Sequence, residues 1–148
     1  MRYKVILIGV LSVLLSSFTF EKANTTSDLT VTVTGLRNND GQVAIQLFNN
    51  SKGFPEKIEN AIKSLVVNPT NNKAVFTVSN LPAGTYAIAL MHDENRNKKM
   101  DKSLFGVPKE GFGFSKNPKI VFSAPSFSDC SFRIGSETKQ LSIKLIYY

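Results

Sequence analysis

The segment LTVTVT, residues 29–34, alternates apolar and polar side chains, and most of them are β-branched. Period-two alternation of β-branched residues predicts a strand with one buried face. The turn sequence NNDG follows at residues 38–41, and its Asp-Gly pair suits a positive φ. Val43, Ile45 and Leu47 then resume the alternation. Residues 28–49 therefore predict a β-hairpin.

Further strands are predicted at residues 63–67, 74–79, 85–91 and 120–122, and in the alternating runs 130–134 and 141–147. Residues 85–91 are apolar on both faces, which is typical of a central strand covered on both sides. Seven to eight short strands at roughly ten-residue spacing predict an all-β fold, an antiparallel β-sandwich, with a closed barrel as the alternative. One core between two sheets is expected to contain Val31, Val33, Val43, Ile45, Tyr86, Ile88, Leu90, Phe132, Ile143 and Leu145.

The composition indicates one globular domain, which we place at residues 28–148. The chain has 148 residues, of which 42% are hydrophobic and 20% charged. The single Cys130 excludes an intrachain disulfide and a cysteine-based zinc site, and the single His92 excludes two-histidine motifs. The net charge of +7 is spread along the chain and no nucleic-acid motif accompanies it, so we expect no nucleic-acid partner.

The N-terminus has the order of a secretory signal peptide. Arg2 and Lys4 precede an apolar run over residues 5–15, and small polar residues follow. The run is short for a membrane span, which needs about 20 residues. We therefore predict a signal peptide over residues 1–23, cleaved after Ala23 or already after Ser17, and a periplasmic or extracellular mature chain without a transmembrane anchor. The alternatives are a buried N-terminal strand and an uncleaved anchor.

Several phrases resemble the bacterial family catalogued as domain of unknown function 2141. They are LTVTVTGL at 29–36, SKGFP at 51–55, LPAGTY at 81–86, HDEN at 92–95 and FGVPKEGFGFS at 105–115. The resemblance covers about residues 28–147. It implies an exported β-sandwich, transthyretin-like or immunoglobulin-like, for which no activity is established.

Residues 92–119 show no strand pattern, and a stretch of this length is more often functional than not. Its polar residues have the spacing of a calcium loop, with Asp93, Asn95, Asn97 and Asp101 at positions 1, 3, 5 and 9 and the Lys99 carbonyl at position 7. However, Lys98 stands where the loop needs glycine and Leu104 where it needs a bidentate acid. The pattern favours an Asp/Asn-rich turn. We expect no cofactor, with calcium as the alternative.

The same segment contains an aromatic and charged group made up of Phe105, Lys109, Glu110, Phe112 and Phe114. One interpretation is a binding surface for a small molecule, glycan or peptide, with the intervening glycines allowing close approach. The favoured interpretation is a plug, in which the three phenylalanines point inward and close one end of the core. The glycines would then reverse the backbone between them.

Two residues of functional interest remain, His92 and Cys130. A lone histidine is expected to be buried or half-buried and bonded to a loop carbonyl, because no nucleophile motif accompanies it. Cys130 is expected to be a buried thiol on the face of Phe132 and Ile134. The sequence thus predicts an exported non-catalytic binding or structural module of the bacterial envelope or secretome. The alternative is a hydrolase or other enzyme with a site around residues 92–115. Candidate partners are an envelope polymer, a peptide or a small molecule.

Overall fold

The computed structural model describes residues 25–121 and 123–148, so the predicted signal peptide lies outside the described residues. The strands are β1 (Thr26–Thr34), β2 (Gln42–Phe48), β3 (Lys63–Val67), β4 (Ala74–Pro82), β5 (Gly84–Asp93), β6 (Gly111–Phe114), β7 (Phe132–Ile134) and β8 (Lys139–Lys144). A 3-10 turn spans Ile58–Asn60, and a short helix, α1, spans Phe127–Cys130.

The strands form two sheets, which confirms the predicted all-β sandwich and its strand number. One sheet has the order β4-β1-β8, and the other the order β3-β2-β5-β6, with β7 also paired to β5. All pairs are antiparallel except β1 with β8. The connections at residues 35–41, 68–73 and 94–110 lie at the same end of the sandwich, which we call the loop end.

The predicted hairpin over residues 28–49 is wrong, because its two strands belong to different sheets. β1 pairs with β4 and β8, whereas β2 pairs with β3 and β5. Gly35 turns the chain at a φ of 78°, and Leu36 is buried in the core as the chain crosses over. Alternation reveals that a strand has one buried face, but it does not identify the neighbouring strand.

The main core lies between the two sheets, and all the residues predicted for it are buried there. Leu29, Leu47, Phe76 and Val78 extend this core along β1, β2 and β4. Side chains on one face of each strand pack against those of the facing sheet, which is the usual arrangement of a β-sandwich.

A second, smaller core covers the outer face of the five-stranded sheet. Ala87 and Ala89 of β5 lie in it, together with Phe112 and Phe114 of β6. Its remaining members are Phe48 and Cys130, packed against Phe54, Ala61, Met100, Ile120 and Phe127. β5 is therefore covered on both faces, as its apolar pattern predicts.

The plug prediction is wrong in its geometry, and residues 92–119 are not wholly irregular. β6 pairs Gly113 with Leu90 and Phe112 with Met91, so the glycines face the main core and the phenylalanines face the second core. Phe112 and Phe114 are buried as predicted, but on the far side of the sheet. Phe105 was expected to point inward and is instead 92% exposed.

Cys130 is buried, but it does not share a face with Phe132 and Ile134. It ends α1, whose N-terminus is closed by a capping box between Ser126 and Asp129. Its side chain lies in the second core, whereas Phe132 and Ile134 lie in the main core. The helix thus replaces the first part of the predicted 130–134 strand. The predicted strand at 120–122 is absent at residues 120 and 121, and Phe122 lies outside the described residues.

Candidate binding loop

The connection between β5 and β6, residues 94–110, is the most elaborate loop of the described chain, and we call it the β5–β6 loop. Its first part is tied to the neighbouring loops of the loop end. The guanidinium of Arg96 donates to the Gly41 carbonyl at 2.7 Å and to Asn68 Oδ1 at 3.3 Å. Arg96 adopts a φ of 61° and Lys98 one of 62°, so the backbone here makes tight left-handed turns.

The carboxylate of Asp93, at the end of β5, organises the first turn of the loop. It is fully buried. Oδ1 accepts from the backbone N–H of Asn97 at 3.0 Å, and Oδ2 accepts from that of Lys98 at 3.0 Å and from Gln42 Nε2 at 2.9 Å. These amides lie four and five residues further along the chain, so the carboxylate holds together the Asp/Asn-rich turn that the sequence favoured.

The other residues of the calcium-like pattern meet in the same turn. Asn95 Nδ2 donates to Asp101 Oδ2 at 2.6 Å, and Asn97 Nδ2 lies 3.1 Å from both oxygens of that carboxylate. The side-chain oxygens of Asn95 and Asn97 accept from the backbone N–H groups of Asn97 and Lys99. Within residues 25–121 and 123–148, no group of three or more His, Cys, Asp or Glu side chains is placed to hold a metal ion.

Glu110 lies underneath the loop rather than on a binding surface. It is 3% exposed, and its carboxylate accepts from the backbone N–H of Glu94 at 3.1 Å and from that of Asp101 at 3.2 Å. These two bonds join the first and middle parts of the loop to the start of β6. Burial raises the pKa of Glu110, and the neighbouring carboxylates of Asp101 and Asp93 act in the same direction.

His92 is fully buried at the loop end of β5, and both of its ring nitrogens are engaged. Nε2 lies 2.8 Å from the Asp40 carbonyl, and Nδ1 lies 2.7 Å from Tyr147 Oη. A carbonyl only accepts, so in the neutral ring Nε2 carries the proton and Nδ1 accepts from the tyrosine hydroxyl. The expectation of a buried histidine bonded to a loop carbonyl is therefore confirmed. Burial raises the pKa of Tyr147.

Arg37 and Glu94 form an ion pair, and the Arg37 guanidinium lies over the Tyr147 ring. The guanidinium donates to both carboxylate oxygens of Glu94 and lies 4.8 Å from the centre of the Tyr147 ring. Asn38 also donates to Glu94 at 2.9 Å. The hydrogen bond from Arg37 holds the pKa of Glu94 below its ordinary value and raises that of Arg37. Sequence reasoning missed this cluster, because residues from three distant segments form it.

The middle of the loop projects as a hydrogen-bonded turn over residues 103–107, which we call the loop tip. The Ser103 N–H donates to the Val107 carbonyl at 2.8 Å, and the Gly106 N–H donates to the Ser103 carbonyl at 2.9 Å. Gly106 supplies a φ of 79°, and an isolated bridge between Lys102 and Pro108 closes the base. Hydrogen bonds between backbone groups of the turn therefore hold it in shape.

The apolar side chains of the loop tip point away from the protein. Leu104 has a relative exposure of 102%, Phe105 of 92% and Val107 of 41%. Of the ligand-binding residues that the sequence suggests, only Phe105 and Lys109 are therefore on the surface. Phe112, Phe114 and Glu110 are buried, so the structure does not bring the five together. In the sequence, Leu104 stands where a calcium loop needs a bidentate acid. In the structure, it lies beside Phe105 on the exposed apolar surface of the loop tip.

Exposed cations surround the tip along the chain. They are Arg96, Lys98, Lys99, Lys102 and Lys109. The four acids of residues 93–110 are less exposed than these cations: Asp93 and Glu110 are buried, and Asp101 and Glu94 are half-buried, with Glu94 paired to Arg37. The loop therefore presents an apolar tip with exposed cations near its base.

The two serines near this region have structural partners. Ser115 is fully buried, donates to the Cys130 carbonyl at 2.6 Å and accepts from the Ile88 N–H at 2.9 Å. Ser103 Oγ accepts from the Val107 N–H at 3.2 Å. The His92 ring bonds the Tyr147 hydroxyl and the Asp40 carbonyl rather than the hydroxyl of Ser103 or Ser115.

The fold and loop define a two-sheet β-sandwich with an ordered projecting loop at one end. A bacterial family described as "Uncharacterized protein conserved in bacteria (DUF2141)" matches residues 31–142, and the chain belongs to that family. No curated protein matches the chain. None of the helices in the described part of the chain is long and apolar enough to cross a membrane.

Among solved structures, the chain is similar to two crystal structures of the pilus-presented adhesin Spy0125 (Cpa). The identities are 17% and 16%, with TM-scores of 0.30 and 0.27. The matches cover 84% and 83% of this chain but only 27% and 28% of the adhesin chain. A likeness at this level carries no argument about function.

Proposed function

We propose that the protein is an exported, non-catalytic binding module of the bacterial envelope or secretome, and that it binds its partner through the loop tip. The observation that carries this proposal is the full exposure of Leu104 and Phe105 on a turn that hydrogen bonds hold in place. Contiguous exposed apolar side chains mark interaction sites more often than isolated ones do.

A hydrophobic core is within reach of the same loop, yet Leu104 and Phe105 do not pack into it. Met100, in the same loop, packs against the second core, and Phe112 and Phe114 are buried in it. Burying a Leu or Phe side chain contributes roughly 1.5–3 kcal/mol, so the chain forgoes this stabilisation twice at adjacent positions. Contact with a partner would recover it.

The non-catalytic part of the proposal is supported by the roles of the candidate catalytic groups. His92 is buried beneath the Arg37–Glu94 pair, with Asp40 and Tyr147 as partners. Ser115 and Ser103 bond backbone groups. Catalysis by a serine needs the hydroxyl within hydrogen-bond reach of the base, and these contacts serve the fold instead.

Export is supported by the basic, apolar and small-polar order of residues 1–23. We expect mature protein to begin between Ser17 and Thr26. Mass spectrometry of the periplasmic and culture fractions checks this start. An intact Met1 on protein confined to the cytosol would contradict export.

The binding role is tested with purified mature protein and a washed cell-envelope fraction. We expect the wild type to sediment with the envelope and the Leu104→Ser/Phe105→Ser variant to remain in solution. The matched control is Ile58→Ser/Ile62→Ser, because these isoleucines are 51% and 47% exposed near the opposite end of the sandwich. Equal sedimentation of all three proteins, or none by the wild type, would overturn the proposal.

A further inference from the structure

We propose that the partner of the loop tip is a lipid bilayer with anionic headgroups. Leu104 and Phe105 would enter the interfacial region, and the surrounding lysines would lie at headgroup level. This inference rests on the proposed function and names the partner class. Two features support the inference: the shape of the loop tip and the charge at its base.

The shape of the tip favours a bilayer over a protein partner. A stable protein interface buries about 1,200–2,000 Å² in total, which requires a broad surface. The loop tip is a short projecting turn with Leu104 and Phe105 at neighbouring positions; Lys102 precedes it, and Pro108 and Lys109 follow it. A fluid interface can accept two protruding apolar side chains without a complementary pocket, as it accepts the apolar face of an interfacial helix.

The charge around the tip favours anionic lipid. Lys102 and Lys109 are both exposed beside the base of the turn, where Lys102 bridges Pro108 and the Lys109 N–H bonds the Asp101 carbonyl at 2.8 Å. Each lysine near an anionic membrane strengthens binding roughly fivefold. Lys98 and Lys99 add to the contribution of Lys102 and Lys109. At the opposite end of the sandwich, Glu56 and Glu59 are exposed among the lysines, whereas the acids of residues 93–110 are buried or half-buried.

The turn is also organised before any contact is made. Bonds between Ser103 and Val107 and between Ser103 and Gly106 fix the backbone, and Glu110 anchors Asp101 beneath it. Binding by a preformed turn orders fewer degrees of freedom than binding by a flexible one. Leu104 and Phe105 are therefore presented together.

Vesicle binding tests this inference directly. The mature chain is mixed with vesicles of equal parts phosphatidylethanolamine and phosphatidylglycerol, or of phosphatidylcholine alone. We expect binding to the anionic vesicles that weakens with added salt, and little to phosphatidylcholine. Leu104→Ser/Phe105→Ser should weaken binding at least about tenfold. Lys102→Gln/Lys109→Gln should weaken it roughly tenfold or more and flatten the salt dependence.

Two control variants carry the same chemical changes away from the loop end. They are Ile58→Ser/Ile62→Ser and Lys52→Gln/Lys63→Gln, at exposed positions, and both should bind as the wild type does. Comparable losses in the controls would overturn the assignment to the loop tip.

Because the chain contains no Trp, Phe105→Trp introduces a single reporter at the tip. Its emission should shift to shorter wavelength with anionic vesicles, whereas Ile58→Trp should show no shift. Unchanged emission from Trp at 105 while the protein is bound would overturn insertion of the tip.

The vesicle and envelope experiments separate the two proposals. Tip-dependent envelope binding without binding to anionic vesicles would overturn the lipid assignment and leave a protein or polymer partner for the same tip. Loss of tip dependence in both experiments would overturn the proposed function as well. Equal binding to both vesicle types would overturn the anionic preference.

Discussion

Gly111 lies directly against the ring of Tyr147. A Cβ at position 111 would stand 2.7 Å from Tyr147 Oη and closer still to two ring carbons. Since Tyr147 also bonds His92 and lies under Arg37, the missing side chain allows β5, β6 and the C-terminal segment to meet at the loop end. The glycine thus makes room for a neighbouring ring rather than for a reversal of the chain.

Gly111→Ala is expected to destabilise the protein by about 1–3 kcal/mol, because the added methyl group must displace the Tyr147 ring. Urea unfolding followed by circular dichroism measures the effect. Tyr147→Ala should remove most of this cost, so the double variant should be less destabilised than the sum of the two single variants. Additive effects would contradict the steric relationship.

Glu110→Ala is expected to cost about 1–3 kcal/mol, because two backbone N–H groups, those of Glu94 and Asp101, lose their acceptor. Hydrogen exchange at these two amides should accelerate, and chemical unfolding gives the stability change. Glu137→Ala, at an exposed position, is the matched control and should change stability by less than about 0.5 kcal/mol. Unchanged exchange at both amides in Glu110→Ala would show that the carboxylate does not hold the loop.

Cys130 is expected to resist thiol reagents in the folded protein, because it is fully buried and burial raises its pKa to about 12. Labelling at mildly alkaline pH should therefore proceed only after urea is added. A raised folded-state pKa gives stability that is complete below the ordinary pKa of 9.0 and is lost as the pH rises toward about 12. The stability of wild type should accordingly fall more steeply in this range than that of Cys130→Ala. Rapid labelling of native protein would contradict the buried position.

Calcium is not expected to stabilise the protein. Each side-chain oxygen of Asp93, Asn95, Asn97 and Asp101 already accepts a hydrogen bond within the turn. Millimolar calcium should leave the Tm unchanged in both wild type and Asp93→Ala, because a ligand raises the Tm only by binding the folded state. A rise in Tm that Asp93→Ala abolishes would establish a calcium site despite Lys98 and Leu104.

Most strand positions and the main core could be predicted from the sequence, because alternation reports directly on burial. Val31 and Val33 alternate with threonines, and both are fully buried. The family resemblance was also correct. Pairing could not be predicted in this way: β1 and β2 follow each other with a turn sequence between them, yet they lie in opposite sheets.

The candidate site was predicted only in part, for a reason visible in β6. The run from Gly111 to Phe114 reads as an irregular glycine-rich loop, because half of its positions lack side chains. Its glycines face the crowded main core and its phenylalanines the second core, so the alternation of size is itself a strand pattern. Arg37 and Glu94 are far apart in the chain, so no local sequence pattern indicates their ion pair.

The two aromatic positions Phe105 and Phe112 should respond oppositely to truncation. Phe112→Ala removes a ring from the second core, where it packs against Phe114 with a centroid distance of 5.9 Å, and should cost about 3–5 kcal/mol. Phe105→Ala removes an exposed ring and should change stability by less than about 0.5 kcal/mol. Urea unfolding of the two variants beside wild type compares the same residue type at a loop position and at a strand position seven residues further on. A large loss from Phe105→Ala would restore the inward plug, whereas a negligible loss from Phe112→Ala would remove the second core as a source of stability.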